Sequence, residues 1–457
     1  MIGPGLPSPE SSRPRTPGGV GAWAAGLFLF ALALRLLFLG RWSFWADELA
    51  TLRDARDLQS VIGYPVGYFL IGLAVRIVGE SEFVARLVPA MVGSITVPVL
   101  YLIGRRMASH RAGVFAAVFL AMSAWHLYYS QYARYYTLLV LFGLSAAWLL
   151  YRGIERDRKA YLIAGLLLLA LAFWTHWSAA LLVPGLLLYL AWSASDDPPR
   201  GLRKTNVILL LAPLLLGAVV LAPTLFRFLV QWMNGAGFSL PRAGLALLKI
   251  LYRLEPAALL CAGVGVWLLV RLGDRRVKWL VSFAAAPVVC VVFFVGFSQG
   301  GSRFAITALP VVLLLAATAL DLLYRALPPG RRGMVIAVTA LVIFSIGARA
   351  ALYYTEERGQ RPRWREAVAF VLDRARTGDE PIVMSNAPRI VQHYGAERVT
   401  DLGNGDSREL ARRLDEAARR EDEVIVMIEH VSNIAPSKDA WEAIRSTFSR
   451  KTRSSTP

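Results

Sequence analysis

Two adjacent carboxylates, Asp47 and Glu48, follow the first long apolar run of the chain, Gly21 to Gly40. Three aromatic residues stand just before them: Trp42, Phe44 and Trp45. Aromatic belts form where a protein crosses the membrane surface. A carboxylate at that depth can act as a general base toward a lipid-borne substrate. An ordinary solvated loop is the alternative reading of an isolated Asp-Glu pair.

Other polar residues of chemical interest follow later apolar runs. His126, Gln131 and Arg134 follow the third run, His176 follows the fifth, and Arg303 follows the ninth. Polar side chains near membrane depth are costly and are often functional. Each one alone could instead be an interfacial anchor or a snorkelling side chain. Because all of them follow odd-numbered runs, as Asp47 does, the pattern predicts a site on one side of a membrane.

The composition identifies the elements that must position these residues. The chain has 457 residues, of which 56% are hydrophobic and 18% are charged, and its mean hydropathy is +0.48. That balance is typical of a polytopic α-helical membrane protein rather than a soluble one. The net charge of +18 does not indicate nucleic-acid binding, because the basic residues cluster in short loops between apolar runs.

About eleven transmembrane helices are predicted, from Gly21–Gly40 to a last span over about 333–353, and the third and fifth are short. The loops after the even-numbered spans carry three or four Lys/Arg each, whereas those after spans three, five and nine carry one or none. The positive-inside rule then places the N-terminus in the cytoplasm and Asp47 outside. We therefore predict a multi-pass protein of the inner or plasma membrane.

Three domains are predicted. Residues 1–19, rich in Pro, Gly and Ser, indicate a disordered cytoplasmic tail. Residues 20–353 form the transmembrane domain, and residues 354–457 form a small α/β domain that the odd span count places outside the cytoplasm. In that last domain, a helix is predicted from Trp364, strands at 381–385 and 424–428, and helices at 408–420 and 439–448. It contains neither a Gly-rich phosphate loop nor metal-ligand spacing.

Six segments stand out when the chain is taken in order over about residues 20–350: Asp47-Glu48, Tyr64-Pro-Val-Gly-Tyr68, Gly79 to Arg86-Leu-Val-Pro, Tyr128-Tyr-Ser-Gln-Tyr-Ala-Arg134, Trp174-Thr-His176 and Arg303 to Pro310. Together they resemble GT-C glycosyltransferases of the protein O-mannosyltransferase and aminoarabinose-transferase branch. Two positions depart from the family pattern. Tyr64 stands where the family often has His or Lys, and Val66 stands in place of a second proline.

The resemblance implies that a sugar moves from a polyprenyl-phosphate-linked donor to a lipid, glycan or protein acceptor on the outer face. Asp47 is the candidate base, oriented or tuned by Glu48, and Arg134 and Arg303 are candidates for holding the donor phosphate. The other candidate substrate-binding residues are Arg86, Tyr64, His126, Tyr128, Gln131 and His176. No cofactor is indicated, and the loop after span three shows no acidic motif for a metal, although a divalent ion stays open.

Other classes of protein fit parts of the sequence. A transporter or lipid flippase would be expected to show internal repeats and broken helices near the midplane, and no repeat is visible. An O-antigen-ligase-type enzyme would also use a lipid-linked donor, but it would not need the Asp-Glu pair after the first span. A structural membrane assembly factor is the third alternative.

Overall fold

The computed structural model describes the residues 17–56, 65–195, 198–233, 237–297, 301–377, 382–385, 387–396, 399–401, 412, 416 and 424–427. The chain divides into two compact units. The first unit combines the residues up to Leu39 with Asp54–Gly359. The second combines Gly40–Arg53 with the residues from Gln360 onward.

Long apolar helices build the first unit, since a helix satisfies all its backbone hydrogen bonds internally and can therefore cross lipid. The first helices in chain order are α1 (Pro17–Leu36), α2 (Ala46–Arg56), α3 (Pro65–Val78), α4 (Glu82–Met107), α5 (His110–Met122), α6 (Ala124–Ser130), α7 (Tyr136–Arg156) and α8 (Lys159–Thr175). Those that follow are α9 (Leu182–Ser195), α10 (Lys204–Met233), α11 (Leu240–Arg253), α12 (Pro256–Arg271), α13 (Arg276–Phe297), α14 (Leu309–Ala326) and α15 (Arg332–Tyr354). α2 continues across the division between the units.

Seven of the described helices are long and apolar enough to cross a membrane, and the number rises to nine if each of two bent pairs is one span. The bent pairs are α5 with α6, at 61°, and α11 with α12, at 91°. Three shorter apolar helices are Val66–Val78, Lys159–Thr175 and Lys204–Val219. The predicted polytopic helical membrane protein is thus confirmed, whereas the count of eleven spans stays a prediction. The loop predicted after the third span instead begins with the short helix α6.

α14 is the core helix of the first unit. Every residue from Leu309 to Asp321 is buried, and the helix packs against α5, α12, α13 and α15. Close helix packing requires small residues at the contact. A Cβ atom on Gly265 of α12 would come within 2.7 Å of the Leu315 carbonyl oxygen. Glycine at position 265 therefore lets α12 approach the core helix closely.

The second unit contains a parallel sheet. Its strands are β1 (Ile382–Ser385), β2 (Val399–Asp401) and β3 (Val424–Met427), in the order β2-β1-β3. The helices α16 (Trp364–Thr377) and α17 (Pro388–His393) contribute buried apolar residues to its core. The predicted helices at 408–420 and 439–448 lie outside the described residues, apart from Arg412 and Glu416.

Residues 40–53 pack with the C-terminal part of the chain, although chain order predicts them in the transmembrane domain. Ala46 and Leu49 lie against the apolar core of the second unit. The backbone N–H of Phe44 donates to the Tyr394 hydroxyl at 2.7 Å. These apolar contacts explain the difference, because a unit with so few strands and helices gains a sizeable share of its core from them.

Candidate active site

Glu48 stabilises the start of α2. Its Oε2 atom accepts a hydrogen bond from the backbone N–H of Trp45 at 2.9 Å, which satisfies a donor at the helix N-terminus. The same oxygen lies 3.7 Å from the Nε atom of Arg361, and both side chains are fully buried. The Glu48 carboxylate therefore shapes the loop and the helix start within the second unit.

Asp47 is the more accessible member of the pair. Asp47 is half-buried, whereas Glu48 is completely buried. The Asp47 backbone carbonyl accepts a hydrogen bond from Thr51 Oγ1 at 3.0 Å. The sequence thus folds so that the first turn of α2 fixes the Asp47 backbone. Of the two acidic residues, Asp47 is therefore the one that is partly exposed to solvent.

His176 lies at the centre of a second group of predicted site residues, in the first unit. Its ring is stacked between the rings of Tyr135, at a centroid distance of 4.2 Å, and Phe304, at 5.0 Å. It follows the last residue of α8 and precedes the short 3-10 helix Trp177–Leu181. Three segments that are distant in sequence therefore meet at this imidazole.

Arg134 and Arg303 flank this stack, and both residues are half-buried. The Cζ atom of Arg134 lies 5.1 Å from the Tyr135 ring centroid, and its Nη1 donates to the Tyr68 hydroxyl at 3.2 Å. The Cζ atom of Arg303 lies 5.5 Å from the Phe304 ring centroid. Each guanidinium is thus placed by a ring that also packs on His176. We call Arg134, His176 and Arg303, with these rings, the cationic cluster.

His176 is neutral in this environment. Its pKa falls from its ordinary value to about 3, first because the ring is buried and then because Arg134 and Arg303 are positively charged. Its Nδ1 atom accepts from the Ser178 backbone N–H at 3.1 Å, which places the proton of the neutral ring on Nε2. Two cations beside a neutral N–H donor form a setting that favours an anionic ligand.

A ladder of tyrosines extends from the cationic cluster along α6 and α7. Tyr136 lies 6.3 Å from Phe304 and 4.3 Å from Tyr129, measured between ring centroids. Tyr128, a predicted site residue, lies 4.9 Å from Tyr129 at the half-buried end of the ladder. Such rings present apolar faces and polar hydroxyls together, which suits contact with a sugar or a lipid tail.

Arg253 is a cation that the sequence reasoning missed. It ends α11, its Nη1 lies 3.4 Å from the Oγ atom of Ser302, and its Cζ lies 5.8 Å from the Trp125 ring centroid. Ser302 is the neighbour of Arg303, so Arg253 borders the cationic cluster. No motif in the sequence marks Arg253 as a site residue. It lies next to the 91° bend between α11 and α12.

Three other predicted site residues make structural contacts elsewhere in the first unit. Arg86 is buried, and its Nη1 donates to the Leu39 carbonyl at 3.2 Å. His126 Nδ1 lies 2.7 Å from Arg35 Nη2. Gln131 Nε2 donates to the Arg35 carbonyl at 2.8 Å. These contacts account for the burial of the three residues, and their substrate-binding roles stay predictions.

Two further sequence predictions concern Tyr64 and a divalent metal ion. Tyr64 lies outside the described residues. Within the described ranges, no group of three or more His, Cys, Asp or Glu side chains is close enough to hold a metal ion.

Comparison with known proteins identifies the fold. The family described as dolichyl-phosphate-mannose-protein mannosyltransferase matches residues 63–226. ArnT from Cupriavidus metallidurans in its apo state has a TM-score of 0.58 and 13% identity, over 94% of this chain and 95% of that chain. The chain therefore has the GT-C fold of the protein O-mannosyltransferase and ArnT type, which confirms the resemblance drawn from the sequence.

Two further structures share this fold. ArnT from the same organism bound to undecaprenyl phosphate has a TM-score of 0.56 and 14% identity, over 88% of this chain and 90% of that chain. The archaeal oligosaccharyltransferase AglB from Archaeoglobus fulgidus, in complex with an inhibitory peptide and a dolichol-phosphate, has a TM-score of 0.58 and 12% identity. That match covers 88% of this chain and 69% of AglB. No curated protein sequence matches the chain significantly.

Proposed function

We propose that this protein is a membrane glycosyltransferase that moves a sugar from a polyprenyl-phosphate-linked donor to an acceptor on the outer face of the membrane. The observation that carries this proposal is the cationic cluster. Two arginines stand beside a neutral histidine where a loop and a 3-10 helix meet the ends of apolar helices. A polyprenyl phosphate presents its charge at headgroup depth and its tail in the bilayer. A guanidinium fork matches the geometry of phosphate oxygens.

The solved relatives support the choice of ligand. The fold is shared with an ArnT structure that holds undecaprenyl phosphate and with an AglB structure that holds a dolichol-phosphate. Both ligands are polyprenyl phosphates, so the same lipid class is the natural donor carrier here. Which sugar the donor carries, and which acceptor receives it, would be decided by groups other than the phosphate-binding arginines.

The reaction requires a general base for the acceptor hydroxyl and cations that stabilise the leaving phosphate. The acceptor hydroxyl attacks the anomeric carbon of the sugar and gives its proton to the Asp47 carboxylate. The bond between that carbon and the phosphate oxygen breaks, and the leaving phosphate keeps the electron pair. Arg134 and Arg303 stabilise the developing negative charge. The loop charges assign Asp47 and both arginines to the same side of the membrane.

The test uses the full-length protein in nanodiscs with undecaprenyl phosphate that carries a radiolabelled sugar, mannose and aminoarabinose being the first two choices. A transferase converts the labelled lipid into free polyprenyl phosphate and a labelled product, and Arg303→Ala, which removes one cation of the cluster, should strongly reduce this conversion. Arg331→Ala, in an exposed loop outside the cluster, is the matched control. Mass spectrometry of lipid, glycan and protein fractions from a deletion strain then identifies the acceptor.

The runner-up function is a lipid or glycolipid flippase, which also has to bind a polyprenyl phosphate. The bent helix pairs α5–α6 and α11–α12 are of the kind that transporters use. In proteoliposomes, a flippase would move the labelled donor across the bilayer with the sugar–phosphate bond intact. Donor translocation without any cleavage would contradict the transferase assignment.

A further inference from the structure

A second basic site lies at the opposite end of α7 from the cationic cluster. Arg134 stands just before the first residue of this helix, and Arg156 is its last residue. The helix has 21 residues and qualifies as a membrane span. At about 1.5 Å per residue it is roughly 30 Å long, which matches the hydrocarbon core of a bilayer. The two sites therefore lie at opposite faces of the membrane.

This second site is a cleft of about 810 Å³ that three inter-helix connections enclose. Its basic lining residues are Arg156, Arg158, Arg200 and Arg275. They come from the ends and connections of α7–α8, α9–α10 and α12–α13. Four arginines from three separate segments thus line one cavity, whereas the positive-inside rule requires only that basic residues lie in the cytoplasmic loops.

The nearby carboxylates are engaged by other groups. Glu155, which also lines the cleft, accepts a hydrogen bond from the Tyr189 hydroxyl at 2.7 Å. Asp157 lies 3.2 Å from Arg203, which does not line the cleft. Asp157 is thus paired with an arginine outside the cleft, and the lining itself carries four arginines and one carboxylate, Glu155.

The cleft thus keeps a positive charge. Among the described residues, Arg156, Arg158 and Arg200 take part in no ion pair. Asp196 and Asp197 precede the lining residues Pro198 and Pro199 in the chain and lie outside the described residues. The arginine side chains can donate several parallel hydrogen bonds, and planar donors of this kind suit phosphate.

The cleft is continuous with a lipid-facing surface. Ala160 lines it, and at 100° per residue Ile163 and Leu167 lie on the same face of α8. The side chains of Ile163 and Leu167 are 48% and 67% exposed. Tyr161, which also lines the cleft, has the amphipathic ring that is enriched at headgroup depth. A ligand with a phosphate and acyl chains would satisfy both surfaces at once.

We propose that this cleft binds the phosphate headgroup of an anionic glycerophospholipid, with the acyl chains lying along α8. The positive-inside pattern assigns the cleft to the cytoplasmic leaflet, where anionic headgroups attract basic residues. Basic pockets between transmembrane helices on that side recognise such headgroups in other membrane proteins. This site is separate from the proposed donor site, because the two lie at opposite ends of α7.

The test is native mass spectrometry of the full-length protein, titrated with phosphatidylglycerol or with phosphatidylcholine of the same acyl chains. The wild type should retain phosphatidylglycerol at about tenfold lower lipid concentration, since charge-assisted bonds distinguish the two headgroups. The triple variant Arg156→Gln/Arg158→Gln/Arg200→Gln should lose this preference. The matched control is Arg106→Gln/Arg271→Gln/Arg331→Gln, which removes the same charge from exposed positions outside the cleft.

An equal loss of the phosphatidylglycerol preference in the two triple variants would overturn the proposal. It would show that the lipid is attracted to the basic face in general and not to the cleft. Equal retention of both lipids by the wild type would overturn it too. Inorganic phosphate at about 10 mM should leave phosphatidylglycerol bound, and displacement would assign the cleft to a soluble phosphate compound instead. The experiment measures lipid retention, so its result does not depend on whether the protein transfers a sugar.

Discussion

The two adjacent carboxylates of the first loop have different environments. Glu48 is buried, caps α2 and lies 3.7 Å from Arg361, whereas Asp47 is half-buried and its backbone carbonyl accepts a hydrogen bond from Thr51. Adjacent helical residues point about 100° apart, so neighbours can serve such different purposes. The proposed roles follow this difference, with Asp47 as the base and Glu48 as a residue that holds the start of α2.

Replacing Asp47 by Asn should remove most glycosyl transfer, because the amide cannot take the acceptor proton. A general base typically contributes about 10²–10⁴-fold to a rate. Donor binding should be retained, as the amide keeps the size of the side chain. Asp54→Asn, the same change seven residues later on the same helix, is the control and should stay near wild-type activity. Turnover of Asp47→Asn at the wild-type rate would exclude this role.

Replacing Arg303 by Lys should weaken use of the donor although the charge is kept, because a single ammonium cannot reproduce the guanidinium fork. Loss of a charge-assisted hydrogen bond costs on the order of 1.5–3 kcal/mol, or about tenfold to a hundredfold in donor concentration. Arg303→Ala should weaken use of the donor further, because it also removes the charge. Donor titration in nanodiscs measures this, with Arg331→Lys as the control. If Arg303 only anchors its segment at the interface, the Lys variant will show an unchanged titration.

Replacing His176 by Gln should give a pH-dependent difference in stability. The folded protein holds the pKa of His176 near 3, whereas the unfolded chain has the ordinary value. Below that ordinary value only the unfolded state binds the proton, so wild-type stability falls as the pH is lowered. Gln does not titrate. The melting temperature of the variant should be lower than that of the wild type at about pH 7.5, and the gap should narrow toward pH 5. If the difference in melting temperature widened toward pH 5, His176 would not be a buried neutral imidazole.

At the scale of elements, two bent helix pairs are held together by one buried carboxylate. Glu255 lies at the break between α11 and α12, with a left-handed backbone φ of 62°. Its Oε1 accepts from Ser123, at the break between α5 and α6, at 2.7 Å. Its Oε2 lies 2.5 Å from Nη1 of Arg349 in α15. The Glu255 side chain thus connects the α5–α6 break, the α11–α12 break and α15. These elements border the tyrosine ladder and Arg253.

Replacing Glu255 by Gln should destabilise the first unit by about 3 kcal/mol, because it leaves Arg349 largely buried without its counter-charge. The double variant Glu255→Gln/Arg349→Met should recover part of this loss, since no unpaired charge remains. Melting temperatures of the two single variants and the double variant provide the coupling energy. Glu80→Gln, which breaks the exposed pair with Arg56, should cost less than about 1 kcal/mol. Additive effects of Glu255→Gln and Arg349→Met would rule out this linkage.

At the scale of the whole molecule, membrane orientation decides whether the proposed chemistry is possible. The loop charges predict a cytoplasmic N-terminus and an external C-terminal domain. A phosphatase that is active only outside the cytoplasm, fused after Pro457, should therefore be active. A fluorescent protein that folds only in the cytoplasm should be dark at the same position. The reverse pattern would place Asp47 on the cytoplasmic side and exclude an external reaction.

The sequence by itself determined the class of this protein. Apolar runs have to become helices in lipid, since no other single segment satisfies its backbone hydrogen bonds there. Loop charges indicate orientation, because they do not depend on packing. The GT-C resemblance came from six short segments in order along the chain, from Asp47-Glu48 to Arg303 and Pro310, because local motifs and their order can be recognised without any knowledge of packing.

Only the tertiary structure decided which of these residues share a neighbourhood. It brings Arg134, His176 and Arg303 onto one aromatic stack and adds Arg253, which has no local pattern of its own. It engages His126 and Gln131 with Arg35 instead, and it packs residues 40–53 with the C-terminal unit. The physical reason is that stacking, buried hydrogen bonds and helix bends join residues far apart in sequence. No spacing rule along a chain encodes such contacts.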